Sequence, residues 1–277
     1  MKITKSRKEL RQNSILAALE ANPALRVNLL AEELDVSTET IRRDLAELDR
    51  AGRLSRTYGG AIVASNRFEP LLNDRIHLNV AERQAIARLA LEEVAGEEAL
   101  LLGGGATMLQ FARALCGIGR RITVITPAYP VALELSKNPL IEIVLLPGTF
   151  EGQERMVCGP ETIRAVERYR VPVVLSGASG RNGDGISEAM LGVGEVYAAM
   201  LASAGRSYVL ADHSKFEKRA LVLLTGWSPQ LTLIADTRPE AGLAAAIRSG
   251  GAGLLLAEMP GANGAGPGGD RRDPKGD

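Results

Sequence analysis

The sequence predicts an α/β fold in two parts: a small helical head that ends in a β-hairpin, then a mostly parallel sheet covered by helices. Three observations carry that expectation. Residues 6–48 place their apolar side chains at helical spacing. Tyr58-Gly59-Gly60 then interrupts a β-prone run. From Ala99 onward, short continuous apolar runs alternate with helical patterns, as in strands buried on both faces.

In residues 6–20, Leu10, Ile15, Leu16 and Leu19 make one apolar stripe, which Asn22-Pro23 ends. Leu29, Leu30 and Leu34 mark a short helix over about 28–34, and Asp35-Val36 a tight turn. Ser37 offers a hydroxyl to the free N–H groups of the helix behind it. There Ile41, Leu45 and Leu48 fall at i, i+4 and i+7 on one buried face, and Gly52 ends the helix. Residues 54–63 read as a hairpin. Together these elements predict a winged helix-turn-helix over 1–63. A connector follows over 64–78, and an amphipathic helix over about 79–94 opens an α/β domain spanning 79–258. Strands are expected at 99–102, 122–125, 141–145, 171–175, 208–211, 231–235 and 253–256. Residues 259–277, rich in Gly, Pro and charge, are expected to be a disordered tail.

With 277 residues, 45% of them hydrophobic, the chain can fill two cores. Its net charge is zero but uneven: residues 1–60 hold 11 Lys+Arg against 9 Asp+Glu. A slightly basic head points weakly to nucleic acid. Cys116 and Cys158 stand apart without metal spacing. They read as buried hydrophobes in a reducing cytoplasm, and no cofactor or metal site is expected. The N-terminus lacks the pattern of a signal peptide, and no apolar run is long enough to span a bilayer, so no membrane partner is expected.

The head has the logic of a DNA reader. Its second helix braces the third, which enters the major groove N-terminal end first. Thr38, Glu39, Arg42 and Arg43 lie off the Ile41/Leu45/Leu48 face. An arginine can grip guanine O6 and N7 with two bonds. The start of the helix, at Ser37, Thr38 and Thr40, suits phosphate. Arg53 and Arg56 flank the hairpin and can reach the backbone or minor groove. The alternative makes Arg42 and Arg43 solvated charges paired with Glu39, Asp44 or Glu47. Cap, turn and hairpin together favour double-stranded DNA.

Val36-Ser37-Thr38-Glu39-Thr40-Ile41-Arg42-Arg43-Asp44-Leu45, with Leu48, Gly52 and Gly59-Gly60-Ala61, resembles the DeoR-type repressors of bacterial sugar metabolism. Members often carry His where this chain has Tyr58. The resemblance extends to about residue 240. It implies a sensor domain with the fold of ribose-5-phosphate isomerase, binding phosphorylated sugars or related metabolites. Four segments match the family's ligand motifs: 103–107, 126–128, 176–180 and 211–216. They point to Gly103, Gly104, Gly105, Ala106, Thr107, Thr126, Gly177, Ser179, Asp212 and Lys215 as effector-binding residues. All four follow strands, so they should gather at the carboxyl edge of the sheet, where open α/β sheets bind ligands. Glycines let a ligand approach, and a helix N-terminus offers N–H groups to an anion. A plain strand-to-helix turn and a surface Asp212–Lys215 pair are the alternatives.

The departures from the family are specific. Gly103-Gly104 stands for the usual Asp-Ser, Pro127-Ala128 for the usual Asn-Ser, and Tyr197 for a usual Lys. Lys215 is then left as the main charged anchor. His213 reads as a hydrogen-bonded neighbour, and His77 as nothing in particular. The expected function is a repressor of a carbohydrate operon, released by a phosphorylated metabolite. An isomerase-like enzyme with a DNA-binding head is the first alternative, weakened because the first loop has no carboxylate to act as base. A ligand-free oligomerisation domain is the second. One head reads few base pairs, so a homo-oligomer, dimer or tetramer, is expected.

Overall fold

The computed structural model describes residues 27–50, 55–57, 60–62 and 70–259, with Lys8, Arg11, Gln12, Ser14, Ile15 and Ala18 from the first helical stripe. Arg53, the hairpin tip and the tail from 260 lie outside the described residues. The chain divides into two compact units, residues 1–69 and 70–277.

In the first unit, α1 (Val27–Glu33) leads to α2 (Thr38–Arg50) through a turn in which Asp35 adopts a φ of 48°. The Val36 N–H closes the turn on the Ala31 carbonyl at 3.0 Å. As expected for an N-cap, Ser37 Oγ accepts from the Thr40 N–H at 3.2 Å. Ile41, Leu45 and Leu48 of α2 are buried with Leu30 and Ile15 in one small core. Strands β1 (Ser55–Thr57) and β2 (Gly60–Ile62) pair antiparallel, Thr57 opposite Gly60, leaving a two-residue loop. This is a winged helix-turn-helix.

The second unit is a seven-stranded parallel sheet. Its strands are β3 (Ala99–Leu102), β4 (Ile122–Thr126), β5 (Ile141–Leu145), β8 (Val173–Ser176), β11 (Arg206–Leu210), β13 (Leu231–Ala235) and β14 (Gly253–Leu256). Their spatial order is β14-β13-β11-β8-β3-β4-β5. The chain therefore builds outward one way from β3 and the other way from β8. The order reverses between those two strands, which is where such sheets open a crevice at their carboxyl ends.

Residues of α4 (Val80–Glu93), α5 (Ala106–Leu115), α6 (Tyr129–Leu135), α7 (Pro160–Arg168), α8 (Leu191–Ser203) and α9 (Ala241–Ser249) share one apolar core with the sheet. Burial on both faces holds for the central strands. The edge strands depart from it: Leu145 of β5 and Leu256 of β14 are exposed, because an edge has a neighbour on one side only. Two small antiparallel sheets were not anticipated from sequence. They are the pair β6 (Thr149–Glu151) and β7 (Met156–Cys158), and the order β12-β10-β9, from β12 (Val222–Thr225), β10 (Gly185–Glu188) and β9 (Gly180–Asn182).

Residues 70–78, read from sequence as connector, instead pack in this unit through α3 (Leu72–Arg75), with Leu72 and Arg75 buried. Among the described residues, no helix is long and apolar enough to cross a membrane.

Candidate DNA interface and effector site

On α2, Thr38 and Thr40 are half-buried, whereas Glu39, Arg42 and Arg43 are exposed. The acids that could have neutralised these arginines are largely taken. Asp44 is buried and receives Arg11 Nε at 2.6 Å. Glu47 receives Lys8 Nζ at 2.6 Å and Gln12 Nε2 at 3.0 Å. Arg42 keeps one loose contact, 3.9 Å to Glu39 with both side chains mostly in water, and such pairs are worth little. Among the described residues Arg43 forms no ion pair. Arg56 lies on β1, and its side chain is outside the described residues, as is all of Arg53.

In the second unit, β11, β8, β3 and β4 are consecutive neighbours, so the four segments that follow them line up along one carboxyl edge. The Gly103–Thr107 turn lies at the reversal point. Gly103 and Gly104 are buried, and the reason is Tyr197 of α8, only 3% exposed. A Cβ on Gly103 would come 3.1 Å from Tyr197 Cε1, and one on Gly104 would come 3.0 Å from the Ala128 Cβ. Gly104 donates its N–H to Tyr197 Oη at 2.9 Å. The phenol thus fills the space that side chains at 103 and 104 would need. Burial, with Glu188 and Glu154 nearby, pushes its pKa far up and keeps it protonated.

The accessible part of the turn is Gly105 and Thr107, both half-buried, with Ala106 buried between them. Gly105 has a φ of 95° and no side chain caps α5, so the first N–H groups of the helix have no local acceptor side chain. Ser176, at the end of β8, is fully buried, and among the described residues its Oγ has no hydrogen-bond partner. Its Cβ lies 3.4 Å from where a Cβ on Gly103 would stand. Gly177, half-buried, follows it beside the Gly104 carbonyl.

Three other candidates are engaged within the protein. Thr126 Oγ1 accepts from the Ala128 N–H at 3.1 Å. Ser179 Oγ donates to Glu188 Oε1 at 2.6 Å. Asp212, with 0% exposure, is paired with Arg83 Nε at 2.9 Å and receives Asn79 Nδ2 at 2.9 Å and the Ser214 N–H at 3.1 Å. The alternative of a surface Asp212–Lys215 pair fails for Asp212, which is buried and paired with Arg83. A carboxylate cut off from water needs a cation and donors that are equally buried. Burial pushes the Asp212 carboxyl up, but the Ser214 bond and the Arg83 charge outweigh it and hold the group well below the usual carboxylate range. Lys215 is itself buried, in the short 3₁₀ turn His213–Lys215. His213 Nδ1 lies 2.5 Å from Asp236 Oδ2, the hydrogen-bonded neighbour that the sequence suggested.

Sequence reasoning missed Arg75, which fell in the presumed connector. Its guanidinium pairs with Glu154, both side chains about nine-tenths buried. A Cβ on Gly105 would come 3.9 Å from Arg75 Nη1. Arg83, which holds Asp212, also donates to the Arg75 carbonyl. The one signal available was the regular spacing of three polar residues, Arg75, Asn79 and Arg83, four apart in sequence.

Two family models match the chain: a DeoR-like helix-turn-helix domain over residues 11–67 and a DeoR C-terminal sensor domain over 78–237. Among relatives, the HTH-type transcriptional regulator GolR of Listeria innocua is 28% identical over 90% of this chain and 98% of its own. The transcriptional repressor AccR of Agrobacterium fabrum is 30% identical over 76% and 83%. The lactose phosphotransferase system repressor of Lactococcus lactis is 29% identical over 83% and 92%. Among solved structures, a ribose 5-phosphate isomerase A from Neisseria gonorrhoeae overlaps 50% of this chain and 53% of its own. The identity is 20% and the TM-score 0.35, too low to carry an argument. The sensor model alone covers more than half of the chain, and with the helix-turn-helix match in front of it, the protein belongs to the DeoR family of transcriptional regulators.

Proposed function

We propose that this protein is a sequence-specific repressor of a carbohydrate-metabolism operon, acting in the cytoplasm as a homo-oligomer and released by a phosphorylated sugar or a related anionic metabolite. The observation that carries the DNA half is the state of α2: Arg42 and Arg43 stand exposed beside a capped N-terminus, while Asp44 and Glu47 are bound by Arg11, Gln12 and Lys8. In this reading Ser37, Thr38, Glu39, Thr40, Arg42 and Arg43 meet the operator, with Arg53 and Arg56 on the wing. The naming of a relative as a lactose phosphotransferase system repressor supports the carbohydrate link. The uncapped start of α5 at the reversal point supports an anionic effector held by Gly105, Ala106 and Thr107, with Gly177 across the crevice.

The geometry speaks against the isomerase reading. Asp212 is the only carboxylate in the four segments, and with its pKa held low by Arg83 and Ser214 it is a poor base. The test begins with selection of a duplex from a random library by the full chain. Release of that duplex is then titrated with ribose 5-phosphate, glucose 6-phosphate and the free sugars. Release by a sugar phosphate and not by its free sugar supports the reading. Failure to enrich any sequence contradicts the DNA half, and release by none of the phosphates contradicts the effector half.

A further inference from the structure

The segment directly behind the first unit supplies the cation nearest the open end of the glycine turn. The second unit begins at Pro70, and Arg75 closes its first helix, α3. From there its guanidinium lies on the side of Gly105 where a Cβ would stand, 3.9 Å from that position, at the start of α5, which no side chain caps. Ser176 Oγ, fully buried beside Gly103 of the same turn and without a hydrogen-bond partner among the described residues, is an independent sign that a polar ligand belongs there. We propose that Arg75 is the receptor for the effector's anionic group, and that it binds that group by exchanging it for Glu154. The proposal rests on the reading that the effector is anionic and binds at this carboxyl edge.

The exchange follows from charge and geometry. A guanidinium presents one planar fork that suits a carboxylate or a phosphate, and the two compete for it. Glu154 already holds Arg75 in a largely buried pair. It sits in the β6–β7 turn, where its own N–H is bound by Glu151 Oε2 at 2.7 Å. A phosphate at the α5 start offers Arg75 a second anion, one that the N–H groups of Ala106 and Thr107 also stabilise.

The consequence for regulation lies in what is fixed. Downstream of Arg75 the chain is anchored: Arg83 donates to the Arg75 carbonyl and pairs with Asp212, and Asn79 also donates to Asp212. Residues 75–83 are thereby tied to the loop after β11. Arg75 and the buried Leu72 lie in the first helix of the second unit, so displacement of Arg75 acts on the segment where that unit begins.

The test uses the full chain, with inorganic phosphate and ribose 5-phosphate as calorimetric probes. Glu154→Gln removes the competing carboxylate and leaves Arg75 in place, so both probes should bind about tenfold more tightly. The selected duplex should then dissociate at correspondingly lower ribose 5-phosphate. The double variant Arg75→Gln/Glu154→Gln removes both charges of the pair together; it should lose probe affinity by about tenfold or more and hold the duplex in the presence of probe. Unchanged probe affinity in Glu154→Gln overturns the exchange, and does so even if the double variant does not fold. Wild-type affinity in a folded double variant overturns Arg75 as receptor. A wild-type chain that binds neither probe overturns the anionic-effector reading itself, and the Arg75 proposal with it.

Discussion

The arginines of the two units are used in opposite ways. In the head, Arg42 and Arg43 lie in water, and Asp44 and Glu47 are occupied by other partners. In the sensor, Arg75 and Arg83 are buried, each facing a carboxylate. An exposed cation with no strong partner is free to meet an anion brought from outside, and it costs the fold nothing to keep. A buried cation must be matched at once, so it either holds the structure or must surrender one anion to accept another. On the proposed reading the head is ready for DNA, whereas a ligand of the sensor has to compete with the protein's own charges.

Breaking the sensor's charges should have the largest effect. Asp212→Asn leaves Arg83 buried without its carboxylate and should destabilise the chain by about 3–5 kcal/mol, read by urea unfolding. Stability within about 1 kcal/mol of wild type would show that the pair is not the anchor described here. Tyr197→Phe orphans the Gly104 N–H in a closed crevice and should cost about 1–3 kcal/mol in the same assay. No loss would mean that another group takes the N–H. On the head, Ser37→Ala removes the cap of α2 and should cost about 1 kcal/mol, weakening DNA binding without changing base preference.

The smallest effect concerns His213. The hydrogen bond to Asp236 raises the pKa of this half-exposed imidazole. A raised folded-state value means that the pair's contribution is complete below the unfolded value of about 6.5 and is lost as pH rises through the folded value. The melting-temperature gap between wild type and His213→Gln should be widest near about pH 5.5 and narrow by about pH 8.5. A gap that widens with pH would reverse the assignment.

Most of this architecture could be read from residues. The Ser37 cap, the Ile41/Leu45/Leu48 face and the hairpin follow from local rules, and the structure places them as expected. The seven parallel strands were legible because continuous apolar runs have one good explanation. The small antiparallel sheets were not, because their three- and four-residue strands leave no period to detect. The turns of the candidate site were legible in the sequence and its charge pairing was not. Glycine after a strand reveals a turn, but nothing local reveals that Asp212 is matched by Arg83, 129 residues away in sequence. Arg75 was hidden for the same reason, since its partner Glu154 is 79 residues distant. Tyr197 stood out as a departure, but only the fold explains it, by placing the phenol against Gly103 and Gly104.

The central claim is that exposed arginines on a capped helix read a DNA sequence. The most direct test measures the affinity of the full chain for its selected duplex and for a scrambled duplex of equal length, at one salt concentration, in wild type, Arg42→Ala and Arg43→Ala. Each substitution should cost on the order of 1–3 kcal/mol on the selected duplex and much less on the scrambled one, so that the ratio between them collapses. Equal losses on both duplexes, or none on either, would contradict the claim.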